Sequence, residues 1–280
     1  MSETASFDAG ANYKPASPLK GWFGTIVVIL SIIFGYIIYE VVMGSPSNFE
    51  GGDPVNGHPV NEGFAKWLGL FYKGGVVVPY ALAVLIILIT MSIERSISLA
   101  RAAGSGNLDV FVSKIQSHLE RNELQQALDA CDQQKGSLGN VTKEVLTKYK
   151  EMESEQGMDK EQKMVAIQKT LEESITLEIP LLQKNLVFIS TIVSVATLMA
   201  LLGTVLGMIK AFSSLGASGA ADVAQLSVGI SEALVNTAMG IFSSTVATIL
   251  YSYYTSKVDA LTYRMDEVGF SIVSTFGEKH

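Results

Sequence analysis

Four runs of this sequence are apolar for the length of a bilayer crossing, and nothing else constrains its fold as strongly. They cover 22–43, 76–95, 186–212 and 228–254. About 20 predominantly apolar residues cross the hydrocarbon core as a helix. The expected fold is therefore an all-α membrane protein with four transmembrane helices, whose longer helices extend into a helical region outside the bilayer. A hydrophobic share of 48% and a mean hydropathy of +0.33 agree with this, because the apolar residues are clustered.

The chain divides accordingly. Residues 1–21 are a polar tail that reads as disordered or surface-lying, and 22–43 a first span. A weak basic start, a long apolar run and no A-x-A site favour an uncleaved span over a signal peptide. Residues 44–75 carry the glycines and prolines of a loop, with an amphipathic piece over Phe64–Tyr72 that suits a membrane surface. The second span, 76–95, has Pro79 in its first turn, where a missing N–H costs least. Over 96–185, Leu108, Phe111, Ile115, Leu119, Ala127, Leu128 and Cys131 recur at helical spacing. Gly136 and Gly139 are expected to break that pattern, with a second helix over 141–156. Asp159 is an expected N-cap for a helix that runs into the third span, kinked at Pro180 or entering the membrane there. Residues 186–254 hold the last two spans around a short stretch, 213–225, whose one charge is Asp222. Residues 255–280 keep helical spacing through Val258, Leu261, Met265 and Val268, as a continuation of the last helix.

Cations set the expected orientation. Lysine and arginine concentrate in 96–185 and its flank, from Arg95 to Lys184, whereas the other two connections offer Lys66, Lys73 and, at its edge, Lys210. The cation-rich segment is then cytoplasmic, with both termini. A net charge of −7 argues against a nucleic-acid partner. The single cysteine, Cys131, excludes an internal disulfide or a multi-cysteine metal site, and as part of an apolar stripe it reads as a buried structural thiol. His58, His118 and His280 have no ligand spacing. With no nucleophile–base pair and no metal cluster, the chain does not read as an enzyme.

One carboxylate, Glu232, stands about a turn into the fourth span. At the centre of a spanning helix it would cost about 2.5–3.5 kcal/mol, so it is a functional candidate by default. At helical spacing it belongs to a stripe of small and polar residues, with Gly229, Asn236, Gly240, Ser243 and Ala247. Thr237, Ser244 and Thr248 run beside that stripe. On the third span Ala196, Ala200, Gly203 and Gly207 form a second one, with Gly203 and Gly207 in GxxxG spacing that permits close helix approach. Two readings stay open: a stripe facing a partner or a water-filled path, or a packing face with Glu232 near the headgroups, where charge costs little.

The stretches Ala-Leu-Leu-Gly-Thr-Val-Leu-Gly-Met-Ile (200–209) and Gly-Ile-Ser-Glu-Ala-Leu-Val-Asn-Thr-Ala-Met-Gly (229–240) resemble the signature helices of the ExbB/TolQ/MotA proton-channel family. The match is nearest to the ExbB/TolQ branch, which has a glutamate at the position of Glu232. Thr197, Ala200 and Val246 stand where the family commonly has proline, glycine and proline. The resemblance places Glu232, Thr204 and Thr237 around an ion path; Asn236, on the same stripe as Glu232, completes the expected ion-translocation set. The small-residue stripes supply the helix-packing glycines Gly203, Gly207, Gly229 and Gly240. The resemblance makes residues 22–43 an addition upstream of three family spans. It further implies an inner-membrane homopentamer, in contact with membrane lipids, around a dimer of an ExbD/TolR-like single-span subunit. Together with a TonB-like protein this would form a motor energising outer-membrane transport. No cofactor is implied; the cargo is a proton, with sodium as the alternative. A TolQ-like role in envelope integrity and a non-conducting scaffold are the competing functions.

Overall fold

The computed structural model describes residues 18–55, 57–217 and 223–279. The tail over 1–17, Asn56, the 218–222 part of the last connection and His280 lie outside the described residues. Helices in chain order are α1 (Pro18–Ile37), α2 (Gly63–Tyr72), α3 (Val78–Ala103), α4 (Leu108–Glu120) and α5 (Leu124–Gln134). They continue as α6 (Gly136–Ser154), α7 (Lys160–Gln183), α8 (Leu186–Ala217) and α9 (Val223–Lys279). Among the described residues the only extended pairing is an isolated bridge between Phe49 and Pro59. Four helical stretches, carried by α1, α3, α8 and α9, are long and apolar enough to cross a membrane.

The upstream span is α1 closed by a π-helical turn over Ile38–Met43. It lies along α3, where Gly35 sits so close to the Pro79 carbonyl and the Ala83 backbone that a Cβ would collide with both. Its other faces, including Ile29, Leu30 and Phe34, are exposed. The stretch after it, which the sequence suggests is loop, folds into a cap. Asn48 is buried and donates to the carbonyls of Val42 at 2.7 Å and Met43 at 2.9 Å, ending the π turn. Tyr39 stacks on Tyr72 at 4.7 Å and donates its hydroxyl to the Tyr72 carbonyl at 3.0 Å. The expected amphipathic piece is α2, with Phe64 and Trp67 exposed.

At the other end, α4, α6 and α7 pack against the extension of α9, and α5 packs on α4 and α6. Val258, Leu261, Met265 and Val268 are buried, as their spacing predicts, and the stripe continues through buried Ile272 and Phe276, which meets Tyr149 edge-on at 4.9 Å. Each such side chain contributes about 1.5–3 kcal/mol through burial from water. The spans have no such drive between them, since lipid is as apolar as leucine, and depend on close packing and polar contacts. Cys131 joins the domain core, and burial pushes its thiol up to about 12. Asp159 caps α7 in a capping box with Gln162, as expected.

Two expectations for 96–185 need correction. The break between α5 and α6 falls at Lys135 and Gly136, both with positive φ, while Gly139 lies inside α6 against the Cys131 carbonyl. There glycine serves proximity, not helix breaking. The helix from Asp159 does not run into the third span, and its interruption is not at Pro180. Pro180 lies within α7; the chain turns at Lys184 and Asn185, the latter at φ 64, before α8 begins. The cause is Arg95 at the end of the second span. Its guanidinium donates to the Leu182 carbonyl at 3.0 Å and to the Lys184 carbonyl, capping α7 where it stops.

Polar contacts thus form two layers. At the domain end stand Arg95, Asn185 bonded to Glu94 at 3.0 Å, and the Tyr254 hydroxyl, which donates to the Ser92 carbonyl at 2.7 Å. At the loop end stand Glu232, Asn236 and the turn before α3. Arg95 lies twenty positions past Gly75, and Tyr254 twenty-two past Glu232, which puts about 30 Å between the layers, the thickness of a bilayer's hydrocarbon core.

Candidate ion-translocation site

The site is built where α8 and α9 come closest. A Cβ on Gly203 would overlap Asn236, one on Gly207 would stand 2.8 Å from the Gly229 carbonyl, and one on Gly240 would overlap Ala200. All four predicted packing glycines therefore lie in one helix–helix contact within this chain. The stripe from Gly229 to Ala247 is covered by α8 and α3 of the same chain, so it does not face an open path. Small side chains here allow backbone approach, which explains the pattern without a partner.

The third wall comes from outside both stripes. A 3-10 turn over Gly75–Val77 leads into α3, and Gly75 adopts φ 75, a region glycine enters at no steric cost. It lies directly against Glu232: a Cβ on Gly75 would occupy the space of carboxylate Oε1. The residue before it, Gly74, accepts a hydrogen bond from Asn236 Nδ2 at 2.8 Å. The carboxylate therefore rests at the N-terminal end of the helical run into α3, where the helix dipole favours negative charge.

Lys210 completes the pocket. Its Nζ lies 2.7 Å from Glu232 Oε2, with the glutamate side chain 8% exposed and the lysine side chain 54% exposed. Lys210 follows Gly203 by two turns of α8, so both lie on the face turned to α9. The Asn236 Oδ1 is buried without a hydrogen-bond partner among the described residues, beside a small void lined by Val77, Ala81, Ala200 and Ser243.

Of the four residues expected on the ion path, two meet and two do not. Glu232 and Asn236 share the buried pocket. Thr204 and Thr237 are partly exposed, and each hydroxyl bonds within its own helix, to the Leu201 carbonyl at 2.7 Å and the Ala233 carbonyl at 2.9 Å. Thr237 lies five residues past Glu232, about 140° round the axis, so one face cannot hold both. Further along the seam Thr197, in place of a proline, donates to Ser244 at 3.1 Å across the two helices.

Sequence reasoning missed Gly74, Gly75 and Lys210 as members of the pocket. The Gly-Gly pair before an apolar run was a signal for a special turn; nothing local linked it to a residue 157 positions later. No group of three or more histidine, cysteine or carboxylate side chains suited to a metal occurs among the described residues.

Residues 133–267 match the MotA/TolQ/ExbB proton channel family. Among similar proteins is the putative biopolymer transport protein ExbB-like 3 of Synechocystis sp., 43% identical over 84 residues, 29% of this chain and 40% of that protein. The Tol-Pal system protein TolQ of Pseudomonas aeruginosa is 24% identical over 165 residues, 59% of this chain and 71% of that one. A putative biopolymer transport protein ExbB homolog of Methanothermobacter thermautotrophicus is 25% identical over 201 residues, 72% of this chain and 67% of that one. The matched part thus spans two fifths of the Synechocystis relative's length and about two thirds or more of the other two. Glu232, Asn236 and Lys210 lie inside the family match, and Gly74 and Gly75 outside it. This membrane protein carries, over residues 133–267, a domain of the MotA/TolQ/ExbB proton channel family.

Proposed function

We propose that the chain is the channel-forming subunit of an ExbB-like inner-membrane motor, driven by the proton-motive force, that energises TonB-dependent outer-membrane transport. The observation that carries this reading is Glu232, a buried carboxylate paired with Lys210, set within a proton-channel family domain. A buried carboxylate lowers its cost by binding a proton and regains it by release, which is the chemistry an ion carrier needs. Thr204 and Thr237 offer hydroxyls from the open side of the α8–α9 seam, where the helix of a partner would lie. That partner is an ExbD/TolR-like single-span subunit, two copies of which stand within a pentamer of this chain. Proton flow along this contact turns one part against the other. The domain end, rich in cations, is cytoplasmic with both termini. A TolQ-like role in envelope integrity is the second reading, favoured by the TolQ relative that covers most of its own length.

The test is ion uptake into vesicles holding this protein and its single-span partner, under separate proton and sodium gradients. Glu232→Gln should abolish proton uptake while the complex stays assembled. Wild-type flux that ignores Glu232 would sink the site assignment, and flux that requires sodium would change the fuel. No flux in either, with the complex intact, favours a scaffold.

A further inference from the structure

The contact between Lys210 and Glu232 joins two groups with very different freedom. The carboxylate is held in place: Gly75 backs one oxygen, α8 crosses α9 at Gly207 and Gly229, and the side chain has little exposure. The lysine stem is flexible and half exposed, so its ammonium can leave without any helix moving. Few other charges face the pair. From the π turn Tyr39 is within electrostatic reach of Glu232, but its hydroxyl is committed to the Tyr72 carbonyl. Glu40 beside it is exposed. Lys73, at the end of α2, is within reach of Lys210, feels Asp53, and donates to the Val55 carbonyl at 2.8 Å. From the turn before α3 the backbone of Gly74 and Gly75 is presented. Among the described residues, Lys210 is the cation in ion-pair contact with Glu232.

We propose that Lys210 is a retractable counter-ion that holds Glu232 as a carboxylate, and that Glu232 takes up a proton when the lysine swings out at the loop end. The physical reason is that a buried charge left without its partner is expensive, and neutralisation is the cheapest relief. Opening of the pair and protonation are then one event. Access of protons to the carboxylate is governed by the position of one side chain. The inference deepens the reading of Glu232 as the proton carrier and rests on it.

The experiment uses the full chain in lipid vesicles at fixed neutral pH, with dicyclohexylcarbodiimide, an apolar reagent that consumes protonated carboxyls. Mass spectrometry follows loss of the free Glu232 carboxyl, whether as an adduct or as an amide to Lys210, with Glu232→Gln as the background. Lys210→Met keeps the length and removes the charge; it should raise the rate of loss several-fold. Lys210→Gln provides a second neutral variant should methionine disturb assembly. Lys210→Arg keeps the charge and should remain as protected as wild type, which a purely steric role of the lysine would not require. Neutral variants that react at the wild-type rate overturn the proposal, as does an arginine variant that reacts as fast as methionine. The readout needs no ion flux, so its failure is distinct from failure of the motor reading, which appears as uptake indifferent to Glu232→Gln.

Discussion

The two polar layers, about 30 Å apart by helical rise, solve one problem in opposite ways. Each places a charged side chain beside the end of a helix. At the domain end Arg95 is 1% exposed, donates to the carbonyls that close α7 and has the Glu94 carboxylate 3.7 Å away, so its hydrogen bonds go to backbone that cannot leave. Arginine also stays charged at any accessible pH. At the loop end Glu232 is nearly as well buried, yet its cationic partner is a half-exposed lysine. There a buried carboxylate is paired with a cation on a flexible stem. The first layer is a fixture joining a span to the domain, and the second is the layer for which a change of state is proposed. Burial alone does not separate them; the mobility of the partner does.

The largest effect that would break this comparison is at Arg95. Arg95→Met leaves the last carbonyls of α7 without their donor and should cost about 2–4 kcal/mol, the scale of charge-assisted bonds lost from a buried site. Thermal unfolding in detergent measures it. Stability within error of wild type would show that the domain end is no more fixed than the loop end. Gly75→Ala comes next, adding a Cβ where the Glu232 carboxylate lies, at a backbone angle that costs about 1–2 kcal/mol by itself. Gly63 has a similar φ of 74 with nothing near its missing Cβ, so Gly63→Ala isolates the backbone term. The Gly75 variant should lose proton uptake and the Gly63 variant should keep it; equal uptake would remove Gly75 from the site. The smallest effect sharpens the contrast from outside both layers. Asp159→Ala removes the capping box of α7 and should cost about 1 kcal/mol, with uptake unchanged.

Spans, caps and stripes were legible because they depend on neighbours in sequence. Asp159 with Gln162, the buried run from Val258 to Val268, and the glycines of α8 and α9 all follow from spacing along one helix. Errors arose where a contact from afar overrode a local preference. Pro180 is the strongest breaker near the end of α7, yet the helix stops at Gln183, where Arg95 from another helix can cap it. Gly139 resembles a breaker and is instead a point of close approach.

The same division holds for the site. Residue order alone required a membrane-spanning helical chain, since apolar runs of that length have few other fates, and it marked Glu232 because a carboxylate within such a run needs a reason. What surrounds that carboxylate was settled by packing. Helical spacing assigns residues to a face but does not say what the face meets. Three separate segments, at Gly75, Lys210 and Glu232, converge only when α3, α8 and α9 lie side by side. Their meeting is a property of helix crossings and the depth of each residue in the bundle, quantities no single helix contains.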